Sequence, residues 1–141
     1  MEVHDISRAI SFKIYQTFGD GYKIYIGSVP QNFQTPSFLI LFLSLNQIRQ
    51  IGRRWRINTL FNVQYFPKEG REEAADMALK LQRALEEIEL LNGDLMFGTD
   101  IRSEIVDDVA HNFVNYNFFL QEKEAKELMW QLEHHPATKG W

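Results

Sequence analysis

Arg49, Arg53, Arg54 and Arg56 crowd around Trp55 within eight residues, and no other stretch gathers so many side chains suited to recognition. Guanidinium groups bond carboxylates and phosphates in pairs, and tryptophan and arginine are enriched where protein surfaces bind most tightly. With Gln50 beside them, these residues suit three uses. They could bind an acidic protein surface, touch nucleic acid, or simply solvate an exposed strand, since charge on a strand edge also blocks aggregation. Catalytic chemistry finds less support. His4, His111 and the pair His134-His135 lie far apart in sequence. An adjacent pair in a strand or helix points two ways and chelates poorly, so no zinc site is expected. Asp107-Asp108 reads as a turn former rather than an acid/base dyad. There is no nucleophile elbow, zinc-protease helix, phosphate loop or dinucleotide fingerprint. Gly98, isolated in a strand after Phe97, reads as a bulge or a close approach rather than a ligand cradle. The expectation is a chain with no catalytic residue, cofactor or metal, working through surfaces.

The arginines must be positioned by a long hairpin over residues 36–67, folded about Gly52. Its root is apolar, from Phe38 to Leu43 outward and from Leu60 to Phe66 on the return. Its tip is polar, with Asn46, Gln47, Arg49, Gln50, Arg53, Arg54 and Arg56. Polar arms that continue an apolar ladder have no core left to cover, so this hairpin is expected to outrun its domain toward another subunit or partner. On the return arm Trp55, Ile57, Thr59, Phe61, Val63 and Tyr65 alternate onto one face, and Pro67 ends the strand.

Other elements follow from periodicity. Ile6, Ile10, Ile14 and Phe18 predict a helix over 5–18 with Asp5 as N-cap and a stop at Gly19-Asp20-Gly21. Residues 22–27 predict a short strand. Ala74, Met77, Ala78, Leu81, Leu85, Ile88 and Leu91 predict one long helix over 71–91, closed by Asn92-Gly93. Glu72, Glu73 and Asp76, with Glu86, Glu87 and Glu89, would form its acidic face, and the first three are candidate interface residues. A second hairpin, 95–120, folds about Asp107-Asp108. Phe97, Thr99, Ile101, Ser103 and Ile105 share a face of its first arm, and Val114, Tyr116, Phe118 and Leu120 of its second. A short helix over 122–133 carries Trp130 off its apolar stripe, at a core edge or a subunit interface. The class is α+β: a single antiparallel or mixed sheet with two long hairpins, two main helices on one face and a short C-terminal helix.

At 141 residues a single domain over 1–141 is expected, large enough to bury roughly 68–70% of its unfolded surface. The absence of cysteine excludes disulfides. A formal charge of −4 argues against bulk nucleic-acid binding. The N-terminus has no basic-then-apolar signal pattern, and the longest apolar run, Phe38 to Leu43, is far short of the ~20 residues of a membrane helix. A soluble protein made in the cytoplasm, without a membrane partner, is expected.

The Thr35-Pro36-Ser37-Phe38 lead-in, the Arg53-Arg54 pair after the tip, and Phe61-Asn62-Val63-Gln64-Tyr65-Phe66-Pro67 before an acidic helix form a recurring pattern. Together with Glu104-Ile105-Val106-Asp107 and His111-Asn112-Phe113-Val114, they resemble the tail-terminator (tail-completion) proteins of long-tailed phages, over roughly residues 5–121. The nearest type is that of defective prophages of Gram-positive bacteria. The resemblance implies a structural virion protein without an active site. It implies a homo-oligomeric ring, commonly a hexamer, at the head-proximal end of the tail. Such a ring stops polymerisation of the tail tube protein and offers a joining surface to the head-completion or connector protein, with DNA only as passing genome. The rival readings are a nucleic-acid-binding module using the basic hairpin 46–58, as β-ribbon readers do, and a small enzyme with a pocket around His111 and carboxylates.

Overall fold

The computed structural model describes residues 2–121. The elements run α1 (Val3–Phe18), β1 (Lys23–Ile26), β2 (Ser37–Arg49), β3 (Arg54–Phe66), α2 (Arg71–Ala84), β4 (Glu87–Glu89), β5 (Leu95–Val106) and β6 (Val109–Gln121). The chain is α+β with a mixed six-stranded sheet of order β1-β2-β3-β6-β5-β4. β1 runs parallel to β2, and the other neighbours are antiparallel. The sheet curls, so α1 touches β2 and also β4 near the opposite edge.

α1 begins earlier than its periodicity suggested. Glu2, not Asp5, is the N-cap, and Asp5 reaches back to accept the Glu2 amide at 2.9 Å. The reciprocal bond makes a capping box, which satisfies helix-end donors that would otherwise lack partners. The buried stripe of Ile6, Ala9, Ile10 and Ile14 is the expected one.

The helix predicted over 71–91 ends at Ala84. Residues 87–89 form β4 instead, with Glu87 opposite Phe97 and Ile88 opposite Met96. Leu85 and Ile88 are buried, so the apolar periodicity was real, but Leu91 is exposed and Asn92-Gly93 closes a turn rather than a helix. Strand pairing to β5 outweighs helical propensity here, because Glu87 to Leu90 also alternates polar and apolar with period two. Glu86, Glu87 and Glu89 therefore leave the α2 face and stand on the strand edge.

The β5–β6 hairpin turns at Asp107-Asp108 as expected, both with positive φ, 50° and 64°. This is the left-handed pair that a two-residue hairpin turn needs. The alternation predicted for β5 is broken. A bulge between Thr99 and Arg102, with Asp100 at φ 53°, adds one residue. Met96 and Gly98 face the core before it, and Ile101, Ser103 and Ile105 after it. Phe97 and Thr99 therefore lie on the other, exposed face. The helix over 122–133, and Trp130 with it, lies outside the described residues.

One core joins both helices to the sheet. Phe38, Phe61, Tyr65 and Tyr116 are its largest buried side chains. Tyr116 donates to the Leu85 carbonyl at 2.6 Å, and Thr59 donates to the Tyr116 carbonyl at 2.6 Å. A polar chain crosses the same layer. Gln82 donates to Ser103 Oγ at 2.9 Å, Ser103 donates to Asn112 Oδ1, and Asn112 Nδ2 donates to the Val63 carbonyl at 2.9 Å. Asn112 is thus fully buried with its polar atoms satisfied, which removes the cost of desolvating them.

Gly98 is a close approach, not a cradle. A Cβ there would lie 2.5 Å from the Leu85 carbonyl oxygen and 2.7 Å from Val114 Cγ2. Its amide bonds the Glu86 carbonyl at 2.8 Å, locking β5 to the end of α2. Gly98→Ala should destabilise the fold by about 3 kcal/mol, the upper range of overpacking penalties. Urea denaturation checks this, and a loss within experimental error would mean the helix end yields freely.

Candidate interaction surface on the sheet arm

The surface begins with a change of environment along β2. Ser37 to Ile40 are buried, whereas Leu43 to Arg49 are exposed. The switch coincides with a bulge between Phe42 and Ser44. Past it β2 lies open to solvent, whereas on β3 Thr59 and Ile57, opposite Leu45 and Gln47, are still buried. β3 therefore leaves the core only beyond Ile57, where the arm expected from the polar tip begins. The arm is broader than a hairpin, however. β6 pairs with β3 all the way from Tyr65↔Ala110 to Arg54↔Gln121. Gln121 Nε2 donates to the Gly52 carbonyl at 2.7 Å, pinning the end of β6 to the tip. The arm is therefore a three-stranded ribbon.

At the tip, Gln50 donates its amide to the Arg54 carbonyl at 2.7 Å. Gly52 and Arg53 between them take positive φ, 78° and 63°. Glycine adopts that conformation freely, whereas an arginine there is strained by roughly 1 kcal/mol or more. The arm's arginines rest on aromatic rings. The Arg49 guanidinium sits 5.2 Å from the Trp55 ring centroid and that of Arg54 4.2 Å from Phe119. On β5, Arg102 sits 4.3 Å from Phe113 in the same way. Stacking of this kind contributes about 0.5–1 kcal/mol at exposed sites and holds the guanidinium plane in a fixed pose. Arg56 is exposed, and Trp55 is half-buried.

Sequence reasoning found the arm's charges and missed its greases. Leu43, Leu45, Ile48, Ile51, Phe119 and Leu120 are all exposed, and Ile51 at the tip is 97% exposed. The signal was present, since an isoleucine between Gln50 and Gly52 in a turn has nothing local to pack on. A second feature was also missed. Asn46, Asn58 and Asn117 lie opposite one another across β2, β3 and β6, forming a row on the face away from the core. His111 belongs to that face too, with Asn62 Nδ2 at 3.2 Å from its Nδ1 and Glu104 opposite on β5. Among the described residues, no group of three or more His, Asp or Glu side chains is placed to hold a metal ion.

The acidic candidates divide. Glu72 and Asp76 are exposed on α2. Glu73 works within its own subunit. Its carboxylate accepts the Tyr65 hydroxyl and the amides of Lys68, at 3.0 Å, and Glu69, at 2.8 Å, tying the β3–α2 loop to the helix. Burial favours the protonated acid, but the Tyr65 hydroxyl, the two amides and the Lys68 charge outweigh it and hold the carboxyl below its ordinary value. Burial and the facing carboxylate push Tyr65 up.

A family model described as phage tail terminator protein matches residues 5–127. The chain belongs to that family. The match spans the core, the arm and all six strands, slightly beyond the resemblance read over 5–121. No individual curated protein matches the chain. Phage tail terminators are structural components of the virion tail, so the surfaces of this terminator, rather than a pocket, are where its function is to be sought. No helix among the described residues is long and apolar enough to cross a membrane.

Because the folded state depresses Glu73, its contribution to stability is present above the unfolded carboxylate range and is lost as pH falls through the folded value. Glu73→Ala should cost about 1–3 kcal/mol at pH 7. That deficit relative to the parent should shrink when urea denaturation is repeated near pH 3. A deficit independent of pH would show that packing, not the charge, is what Glu73 supplies.

Proposed function

We propose that this terminator assembles into a ring, commonly of six copies, at the head-proximal end of the tail tube. There it stops addition of the major tail tube protein and presents the surface to which the head-completion or connector protein joins. The supporting observation is the arm. Half the length of β2, with its apolar and basic side chains, extends past the core that should cover it. Exposed apolar surface of this kind, mixed with stacked arginine and tryptophan, marks a protein interface. A ring also needs two different patches on each copy. The arm, with Arg49, Gln50, Arg53, Arg54, Trp55 and Arg56, supplies one. Carboxylates elsewhere, including Glu72 and Asp76 at the start of α2, supply opposite charge, while Glu73 between them holds the β3–α2 loop in place, and Trp130 near the C-terminus belongs to the same contact set. DNA passes through the ring as cargo, and a net charge of −4 is compatible with letting it through.

The nucleic-acid-binding reading of residues 46–58 draws less support. Arg49 and Arg54 already lie over the chain's own rings, and tight groove binding rests on a larger excess of basic groups than this chain has.

Light scattering of the purified chain, alone and with the tail tube protein, tests the reading. The expected result is a ring mass, or a monomer that joins tube ends. A monomer indifferent to tubes would overturn it. Arg53→Glu with Arg54→Glu should leave a folded monomer by circular dichroism yet weaken ring or tube contact at least tenfold. Tails of normal length that join heads normally in this mutant would remove those two arginines from the interface.

A further inference from the structure

The arm and the β4 edge of the sheet differ in charge and shape. On the β2–β3 side, the arm carries Arg49, Arg53, Arg54 and Arg56, and its outermost apolar side chain is Ile51. At the far edge, the short β4 and the residue before it carry Glu86, Glu87 and Glu89, all exposed. Beside β4 lies a groove between α1 and the Leu90–Gly93 turn. Its volume is about 200 Å³, and Ala9, Phe12, Leu90 and Leu91 line it, with Glu89 and Arg8 at the rim. Phe12 is 50% and Leu91 84% exposed, so the groove is apolar and open. For scale, an apolar cavity of about 150 Å³ accommodates a benzene molecule, so one isoleucine side chain fits comfortably.

We infer that Ile51 at the arm tip of one copy seats in the α1–β4 groove of the next, with the arm's arginines facing the Glu86, Glu87 and Glu89 edge. The occupant is a second copy of this chain, and the inference rests on the ring reading above. Three observations carry it. The knob is rigid, because the Gln50–Arg54 and Gln121–Gly52 bonds fix the tip on both sides. The tip is basic, while the edge beside the groove carries Glu86, Glu87 and Glu89, with Arg8 and Glu89 balancing each other at the groove itself. Opposite charge beside an apolar centre steers approach while the centre excludes water. The two patches are also different surfaces, one on the β2–β3–β6 arm and the other at the β4 edge. Their contact is therefore heterologous, head to tail, and heterologous contacts generate closed rings when the rotation permits. The charge comes from β4, where strand pairing set these glutamates apart from α2.

The chain has no cysteine, so introduced thiols report this contact without background. The full-length double variant Ile51→Cys with Leu91→Cys is assembled in the presence of tail tubes, its mass followed by light scattering, and then oxidised. The expected result is a ladder of covalent multimers on a non-reducing gel, ending at the ring size, while each single variant gives no ladder. A ring mass without a ladder, or a fast-migrating monomer from an intrachain bond, overturns the inference and leaves the ring reading standing. No ring mass and no tube-end binding by the parent chain overturns the ring reading, and the inference with it. Ile51→Asp provides a check that does not depend on thiol geometry. It sits at a fully exposed turn and should fold normally, yet weaken association at least tenfold, whereas Ile51→Val should associate within about threefold of the parent. Equal association of both variants would also overturn the inference.

Discussion

β3 is the strand on which everything else hangs. It is paired along its whole length on both sides, to β2 from Phe66 back to Trp55 and to β6 from Arg54 to Tyr65. A slip of one residue on either side would turn every neighbouring side chain over. That register fixes which side chains enter the core, namely Phe61, Val63 and Tyr65. It also fixes which lie past it, namely Trp55 and its arginines. The lengths of the elements require the sheet to outrun its cover. Thirteen residues of strand span about 44 Å at roughly 3.4 Å each. The fourteen residues of α2 span about 21 Å at roughly 1.5 Å each. Helices of this length, however they are angled, leave a large part of such strands uncovered. The arm is thus a consequence of element lengths written into the sequence, and not a local irregularity of the hairpin.

Those lengths also give the molecule its asymmetry. The covered half of the sheet meets α1 and α2, and the buried Asn112 within it is satisfied through the Gln82–Ser103–Asn112–Val63 chain. The uncovered part leaves Leu43, Leu45, Ile48 and Ile51 exposed, surrounded by arginine and asparagine. In the proposed ring, each copy meets its own kind and other tail and head proteins. A molecule whose two ends differ is suited to this, because copies that join head to tail leave both faces of the assembly distinct.

What the sequence made legible was local. Gly52 and the Asp107-Asp108 pair announced the two turns, and the alternation from Trp55 to Tyr65 announced the buried face of β3. The Phe97-Gly98 step announced either a bulge or a close approach, of which the structure shows the close approach. What it hid was non-local. Nothing in residues 54–66 says that their second neighbour is 110–121, so the arm read as two-stranded when it is three-stranded. Leu85, Ile88 and Leu91 continued the helical period of α2, and only the pairing of Ile88 with Met96 reveals the strand. Asp100 hid a bulge, since one added residue shifts the faces of β5 without leaving a gap in its β-forming composition. The charges of the arm were visible as a cluster, whereas the apolar residues between them were indistinguishable from core until the helices were seen to stop short.

An arm with exposed Leu43, Leu45, Ile48 and Ile51 would invite aggregation unless the fold restrained it, and the restraints are visible. β6 covers one side of β3 to the tip, so among the described residues the arm's open edges are that of β2 and the short stretch of β6 beyond Tyr116, and the longer is that of β2. That edge is broken by the bulge between Phe42 and Ser44, which bends the strand and spoils a flat template for a stray partner. Asn46, Gln47 and Arg49 alternate with its apolar residues, so a strand adding at random would bury polar groups without partners. The tip itself is a tight turn with two left-handed residues, which no incoming strand can extend. Undirected sheet growth is thereby suppressed, while a shaped apolar knob with charge around it remains available to a matching groove. The same features that let the arm stay exposed in a free copy therefore select which surface it accepts.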